Sequence, residues 1–320
     1  MRPFIAVMII PTGIGAAIGG HAGDATAAAR LLAGACDTLI VHPNVVNAAG
    51  LNEMPPNALY VEGSMLDRFL RGEIYLEPVR ANHILVVCNI LNPMTLNAAG
   101  AARSLLGARV DVLVLDRSLR MVSRIQDGIA GGTVEGVDEM CNQVASLKFD
   151  ALAVHTEIEV DPDEARRYLK TGDGVNPWGG VEAMVSRRAS AVLGRPVAHA
   201  PIENDPCFNE VVPQALAPEL ISGSMLFSVL KGLHKAPRIG TEAGHHTLAV
   251  DDVDALVSPV CWGAPHIACE KAGIPILIVA SNTTNVPMGG GETFSPVPSY
   301  LAAVGALVAL RQGLSLEACE

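Results

Sequence analysis

Cys261 is the residue of this 320-residue chain whose type and setting point most directly to chemistry. It ends the apolar run Ala255 to Val260 and opens the loop Cys261-Trp262-Gly263-Ala264-Pro265. A thiol between a strand end and a helix start has its thiolate favoured by the helix dipole, which suits a nucleophile or an acid–base group. Gly263 leaves room for a substrate, and Pro265 is tolerated in a first helical turn. Packing is the competing reading, since cysteine is among the most often buried residue types. That reading is accepted for Cys36, Cys141, Cys269 and Cys319. Cys88, after the run Ile84 to Val87, is a second candidate thiol, and His199, before Pro201, is a candidate general base.

Other strand ends carry small and polar residues suited to holding a ligand. The loop Pro11 to Asp24 contains Gly13 and Gly15, whose neighbouring backbone N–H groups suit a carboxylate or phosphate. The Gly13-x-Gly15-x-x-x-Gly19 spacing is one residue off a dinucleotide fingerprint, and the next strand ends at His42 instead of an acid. No NAD is therefore expected. Asn44 follows a second strand, and Ser281, Asn282 and Thr283 follow a late one. Asn176-Pro177-Trp178-Gly179-Gly180 reads as a loop entering a helix, with Glu182 in its first turn. Trp178 suits a flat ligand. The backbone N–H groups of the Gly13 and Gly179 loops are candidates to hold an anion or oxyanion. His245, His246, Asp251 and Asp252 lack the spacing of a zinc site, so no metal is expected.

Two resemblances bear on these residues. PTGIGAAIGGHAGDA, HPNVVN, NPWGGVEA and PVAHAP are similar to segments of an uncharacterised family found in cyanobacteria, plants and other bacteria, known only as a domain of unknown function. The similar segments span most of the chain. They imply a shared fold and mark Asn176, Trp178, Gly179, Gly180, Glu182, His199 and Cys261 without assigning roles. More locally, ILVVCN and SPVCWGAPH resemble the two cysteine loops of aspartate/glutamate racemase-like enzymes. That resemblance implies two thiols exchanging an α-proton across a carboxylate. The second loop lacks the family's Cys-Thr pair, and the two cysteines are unusually far apart in the chain.

The elements that position these residues follow from an alternation of short apolar runs with helix-like stretches. Such a pattern implies parallel strands covered on both faces. The expected fold is α/β, with open, mostly parallel sheets and a site at the carboxyl ends of the strands. Ile125 to Gly136, rich in glycine, reads as a linker, dividing the chain into residues 1–125 and 126–320. PMGGGETFSPVPS reads as a mobile loop near the site.

Composition narrows the function. A net charge of −11 with no basic cluster excludes a nucleic-acid partner. No apolar run reaches the ~20 residues of a spanning helix, so no membrane partner is expected. The N-terminal run reads as a first strand rather than a signal peptide. Seven cysteines without regular spacing indicate reduced thiols and a cytoplasmic setting. The expectation is an enzyme acting on a small anionic, carboxylate-bearing metabolite, a homo-oligomer being compatible, by isomerase or racemase-like proton transfer centred on Cys261. Thiol attack on an amide or lactam, and ligand binding without turnover, are the alternatives.

Overall fold

The computed structural model describes residues 2–46, 53–202, 225–244, 246–286, 288 and 293–319. Its strands are β1 (Ile5–Met8), β2 (Thr38–Val41), β3 (Ala58–Tyr60), β4 (Tyr75–Glu77), β5 (His83–Cys88), β6 (Arg109–Val114), β7 (Arg120–Gln126), β8 (Ile129–Glu135), β9 (Ala151–Thr156), β10 (Val197–Pro201), β11 (Arg238–Gly240), β12 (Val253–Val260), β13 (Ile276–Thr283) and β14 (Ser295–Val297). Its helices are α1 (Thr26–Ala33), α2 (Pro43–Val46), α3 (Gly63–Leu70), α4 (Pro93–Leu106), α5 (Val137–Val144), α6 (Pro162–Thr171), α7 (Gly179–Leu193), α8 (Met225–Lys235), α9 (Ala264–Lys271) and α10 (Tyr300–Arg311).

Two parallel sheets organise the chain. The larger runs β14-β13-β12-β1-β2-β3, and the smaller runs β10-β9-β5-β6. The expected α/β class with parallel sheets is what the fold shows. The central strands are short apolar runs buried on both faces, β1 and β9 from end to end, as parallel strands under helices must be. The larger sheet takes its strands from both ends of the chain and the smaller from the middle. Sheet membership thus follows a different plan from a cut at residue 125.

One sequence expectation is corrected here. Ile125 to Gly136 is not a linker: it belongs to an antiparallel ribbon in which β7 pairs β8 from Arg120↔Glu135 to Gln126↔Ile129. Asp127 and Gly128 turn it with φ of 53° and 76°, the left-handed pair that a two-residue hairpin loop requires. The Asp-Gly dipeptide was the signal for it. The ribbon lies against α7, where Ser123 Oγ donates to the Pro177 carbonyl. The Ala130 N–H donates to the Gly13 carbonyl at 2.8 Å. The ribbon thus ties α7 to the glycine loop after β1.

Candidate active site

Both parallel sheets direct carboxyl ends toward one cleft of about 930 Å³. Its walls take residues that follow β1 (Thr12 to Gly15), β2 (His42 and Asn44), β3 (Glu62 and Ser64), β9 (Glu157) and β12 (Cys261 to His266). From the start of α7 come Trp178, Gly179 and Glu182, and from β10 comes His199. Nine of the sequence candidates therefore share one cavity: Gly13, Gly15, Asn44, Asn176, Trp178, Gly179, Glu182, His199 and Cys261. Helices α3 and α7 close it from the side, joined by Arg187 and Asp67 at 3.7 Å.

The glycine loop is held by two asparagines. The Asn44 amide reaches the carbonyls of Ile10 at 2.9 Å, Pro11 at 3.1 Å and Gly19 at 3.2 Å, fastening the two ends of the loop together. Asn282, fully buried, accepts from the Ile18 N–H at 2.9 Å and donates to the Ile18 carbonyl and Tyr300 Oη, each at 2.8 Å. Among the described residues, no hydrogen bond uses the N–H groups of Thr12, Gly13, Ile14 or Gly15. At Gly15 a side chain is doubly unwelcome: φ is 65°, and a Cβ would stand 2.5 Å from Asn285 Nδ2.

At the other wall, Glu182 meets His199. Glu182 Oε1 lies 3.2 Å from His199 Nδ1, and His199 Nε2 lies 2.9 Å from Thr156 Oγ1. His199 and Thr156 are buried, whereas the Glu182 side chain keeps 24% of its surface exposed, toward the cleft. The Thr156 hydroxyl also lies 3.5 Å from Met121 Sδ. It can therefore donate to His199 Nε2, leaving Nδ1–H for the carboxylate. It can equally accept from Nε2–H and turn its own proton to sulfur. Either way the imidazole is satisfied, so the pair can take up or give back one proton without stranding a buried polar atom.

Cys261 forms a second cluster with Ser258 and His266. Ser258 Oγ is 2.8 Å from His266 Nε2 and 3.4 Å from Cys261 Sγ, and Cys261 Sγ is 3.9 Å from His266 Nε2. His266 Nδ1 accepts from the Gly263 N–H at 3.1 Å, so its proton sits on Nε2 and points at Ser258. Burial holds His266 down to about 4, so near neutral pH it is uncharged. Burial pushes the Cys261 thiol up, against a smaller opposing effect of Ser258. The expectation of a dipole-favoured thiolate is corrected: burial pushes the thiol up, and the histidine beside the sulfur is uncharged.

Several candidates stand elsewhere. Cys88 is not among the residues lining the cleft. It ends β5 in the smaller sheet beside His155 of β9, with Sγ 3.7 Å from the Leu113 carbonyl. The two thiols therefore do not face each other across one substrate. Gly180 is a packing glycine: a Cβ there would fall 2.3 Å from the Ala130 carbonyl oxygen. Ser281 and Thr283 are exposed and absent from the cleft lining, and Asn282 is committed to the loop. The Trp178 and Gly179 N–H groups both donate to Asn176 Oδ1, at 2.9 and 3.2 Å, so Asn176 holds the turn that enters α7 and the Gly179 N–H is not open to an anion. His245 lies outside the described residues, as do Pro287 and Gly289 to Glu292 of the segment PMGGGETFSPVPS expected as a mobile loop. Among the described residues, no group of three or more His, Cys, Asp or Glu could hold a metal ion. No described helix is long and apolar enough to cross a membrane.

Sequence reading missed Glu62 and Tyr60 at the cleft and assigned no role to the strand-end residues His42 and Trp262. Glu62 sits at the start of α3, its carboxylate accepting from the Ser64 and Met65 N–H groups and from Ser64 Oγ. Burial raises its carboxyl. Glu62 before Gly63-Ser64 is a helix-start signal that could have placed it. Tyr60 ends β3, and its hydroxyl is buried without a hydrogen-bond partner among the described residues. His42 ends the β2 run, and its Nε2 accepts from the Ile10 N–H at 3.0 Å. Trp262 stacks on His266 with ring centroids 5.0 Å apart, so both tryptophans of this aromatic-poor chain line the cleft.

Comparison with known proteins now places the chain. A family model described as a protein of unknown function (DUF3326) matches residues 5–320, and the chain belongs to that family. It is 36% identical to an uncharacterized lipoprotein of Synechococcus sp., over 98% of this chain and 92% of the relative. No solved structure matches. The cytoplasmic expectation is corrected by that relative, which is named a lipoprotein and not a free cytoplasmic protein.

Proposed function

We propose that this member of the unknown-function family is an isomerase-type enzyme that moves a proton on a small, carboxylate-bearing metabolite, with Glu182 as the acid–base group. The observation that carries the reading is the Glu182–His199–Thr156 chain, which exposes a carboxylate to the cleft and holds it from behind with a buried imidazole. A base must reach its proton and must store it, and this arrangement meets both needs. The N–H groups of Thr12 to Gly15, which no bond within the described protein uses, are suited to the substrate carboxylate. Arg187 at the mouth adds positive charge to an acidic protein. Thiol attack is the weaker reading, since the Cys261 thiol is raised and His266 already gives its Nε2 proton to Ser258.

The test is hydrogen exchange into the substrate. The protein is incubated in deuterated water with 2-hydroxy, 2-oxo and 2-amino acids in turn, and loss of the proton signal next to the carboxylate or carbonyl is followed by NMR. Exchange with one of these acids, lost by a factor of about 100 or more in Glu182→Gln, is the expected result. Exchange that survives Glu182→Gln unchanged removes Glu182 as the base. Exchange with none of the acids removes this substrate class.

A further inference from the structure

Tyr60, in the wall of the cleft, keeps a buried phenol at evident structural cost. Its residue is 2% exposed, its hydroxyl is buried, and no group among the described residues hydrogen-bonds to it. A buried hydroxyl left unmade is unfavourable in the free protein and is explained when a ligand supplies the partner. A second observation points the same way. Gly232 stands in the interior of α8, where glycine is a poor helix former, and a Cβ there would lie 2.7 Å from Tyr60 Cζ. The helix carries a glycine where the phenol end of the ring needs the room.

The surroundings define what the hydroxyl would meet. Glu62 and Glu182 are both near enough to oppose ionisation of Tyr60, after the larger effect of burial. The phenol is therefore a neutral O–H donor. His42 supplies a second neutral donor to the same cleft. Its Nε2 accepts the Ile10 N–H, so the proton is on Nδ1, and burial holds the ring down to about 4. That Nδ1 has no partner among the described residues and lies on the side of Gly63, a Cβ there coming within 4.0 Å of it. Two uncharged donors and one held carboxylate make a complementary set for an oxygen that gains negative charge while a neighbouring carbon loses a proton.

We propose that Tyr60, with His42 as the second donor, holds the carbonyl oxygen of the substrate, and that the substrate class is a carbonyl compound with an acidic C–H beside that carbonyl. The inference rests on the proton-transfer reading and names its substrate. Glu182 takes the proton from the carbon. The C–H electron pair forms a carbon–carbon double bond, and the carbonyl π pair moves onto oxygen, where the Tyr60 O–H and His42 Nδ1–H hold the enolate. The proton then returns from Glu182 to the same carbon, which gives exchange. Where a carbon–carbon double bond already adjoins that carbon, it returns instead to the far end of the resulting dienolate, whose π pairs shift as the carbonyl re-forms. No oxidant, reductant or co-reactant enters. One base serves one face of the substrate. The expected product is therefore a shifted double bond instead of a racemate.

The probe is 4-nitrophenol, whose phenolate mimics an enolate oxygen and whose absorbance reports ionisation. The full-length protein should bind it as the phenolate near neutral pH. Tyr60→Phe should weaken that binding roughly tenfold or more, for loss of one oxyanion donor. Glu182→Gln mimics the protonated base and should bind the phenolate at least as tightly as the unaltered protein. Because no described residue partners the phenol, Tyr60→Phe should leave the melting temperature unchanged or raised. Failure of the unaltered protein to bind the phenolate, equal binding by Tyr60→Phe, weaker binding by Glu182→Gln, or a clear drop in melting temperature on Tyr60→Phe would each overturn the inference. Isotope exchange lost in Glu182→Gln, together with equal phenolate binding by Tyr60→Phe, would leave the base in place and remove only this carbonyl site.

Discussion

Glu182 of α7 and His199 of β10 meet at 3.2 Å, the carboxylate on the cleft side and the imidazole fully buried behind it. The contact exists because α7 packs over the smaller sheet, setting its first turn above the end of β10. It backs a cleft-facing carboxylate with an imidazole that bulk water does not reach. Under the proposed proton transfer the pair therefore depends on Thr156, the further group that His199 hydrogen-bonds among the described residues.

That group gives the first prediction. Thr156→Val keeps the shape of the side chain and removes the hydroxyl 2.9 Å from His199 Nε2. The imidazole is left with a buried nitrogen that has lost its partner, which costs about 1–3 kcal/mol of stability, read by urea unfolding. Proton exchange into a substrate should slow more than substrate binding weakens, because Glu182 itself is untouched. A variant as stable as the unaltered protein, with unchanged exchange, would show that Thr156 does not support His199.

How much of this was legible in the sequence depends on what each residue does. Strand ends were legible, because parallel strands read as short apolar runs whatever they later position. Reading the residues after those runs found Cys261, His199, Asn44 and the glycine loop, and all of them line the cleft. Which strands share a sheet was not legible, since pairing is decided by contacts remote in sequence. Cys88 and Cys261 look equivalent along the chain, yet β5 belongs to the smaller sheet and β12 to the larger. Asn282 looked like a ligand group and proves to be a loop clamp, a difference made by the Ile18 backbone 264 residues away. The state of the Tyr60 hydroxyl was not legible. An unpartnered hydroxyl is a property of the folded surroundings, and nothing in the sequence around Ala58 to Val61 announces it.

The second prediction concerns the thiols. Cys261 is buried with its thiol pushed up, and it faces an uncharged His266, so little thiolate is present at pH 7. Among the described cysteines, Cys319 alone is exposed. Iodoacetamide at pH 7 should therefore label Cys319 well before Cys261, as followed by peptide mass spectrometry. Labelling of Cys261 should accelerate as the pH is raised. If Cys261 were instead the fastest of these thiols, a thiolate would exist that burial should suppress, and the hydrolase reading would regain its footing.

The third prediction is a difference in acid stability. Burial lowers His42 from its ordinary 6.5 to about 4. Above pH 6.5 the ring is neutral both folded and unfolded, and its contribution to stability is fully present. Between 6.5 and 4 the unfolded chain takes up a proton that the folded chain refuses, so stability is lost as the pH falls. The raw pH dependence of the protein mixes this with groups of opposite sign. Asp24 is raised by burial to about 6, so the folded state binds its proton first, and stability is gained as the pH falls from about 6 toward 3.8. A variant isolates the histidine. His42→Gln offers an oxygen to the Ile10 N–H but does not titrate in this range. At pH 7 it should be the less stable protein, since glutamine fits the space less well. Between pH 7 and pH 5 its deficit should shrink by about 2 kcal/mol, because only the protein with His42 loses that term. Urea unfolding of both proteins at the two pH values measures the change directly. A deficit that stays constant would mean that His42 is protonated in the folded protein at pH 5. It could then no longer accept from the Ile10 N–H through a bare Nε2, and its assignment as a neutral donor to the cleft would fail with it.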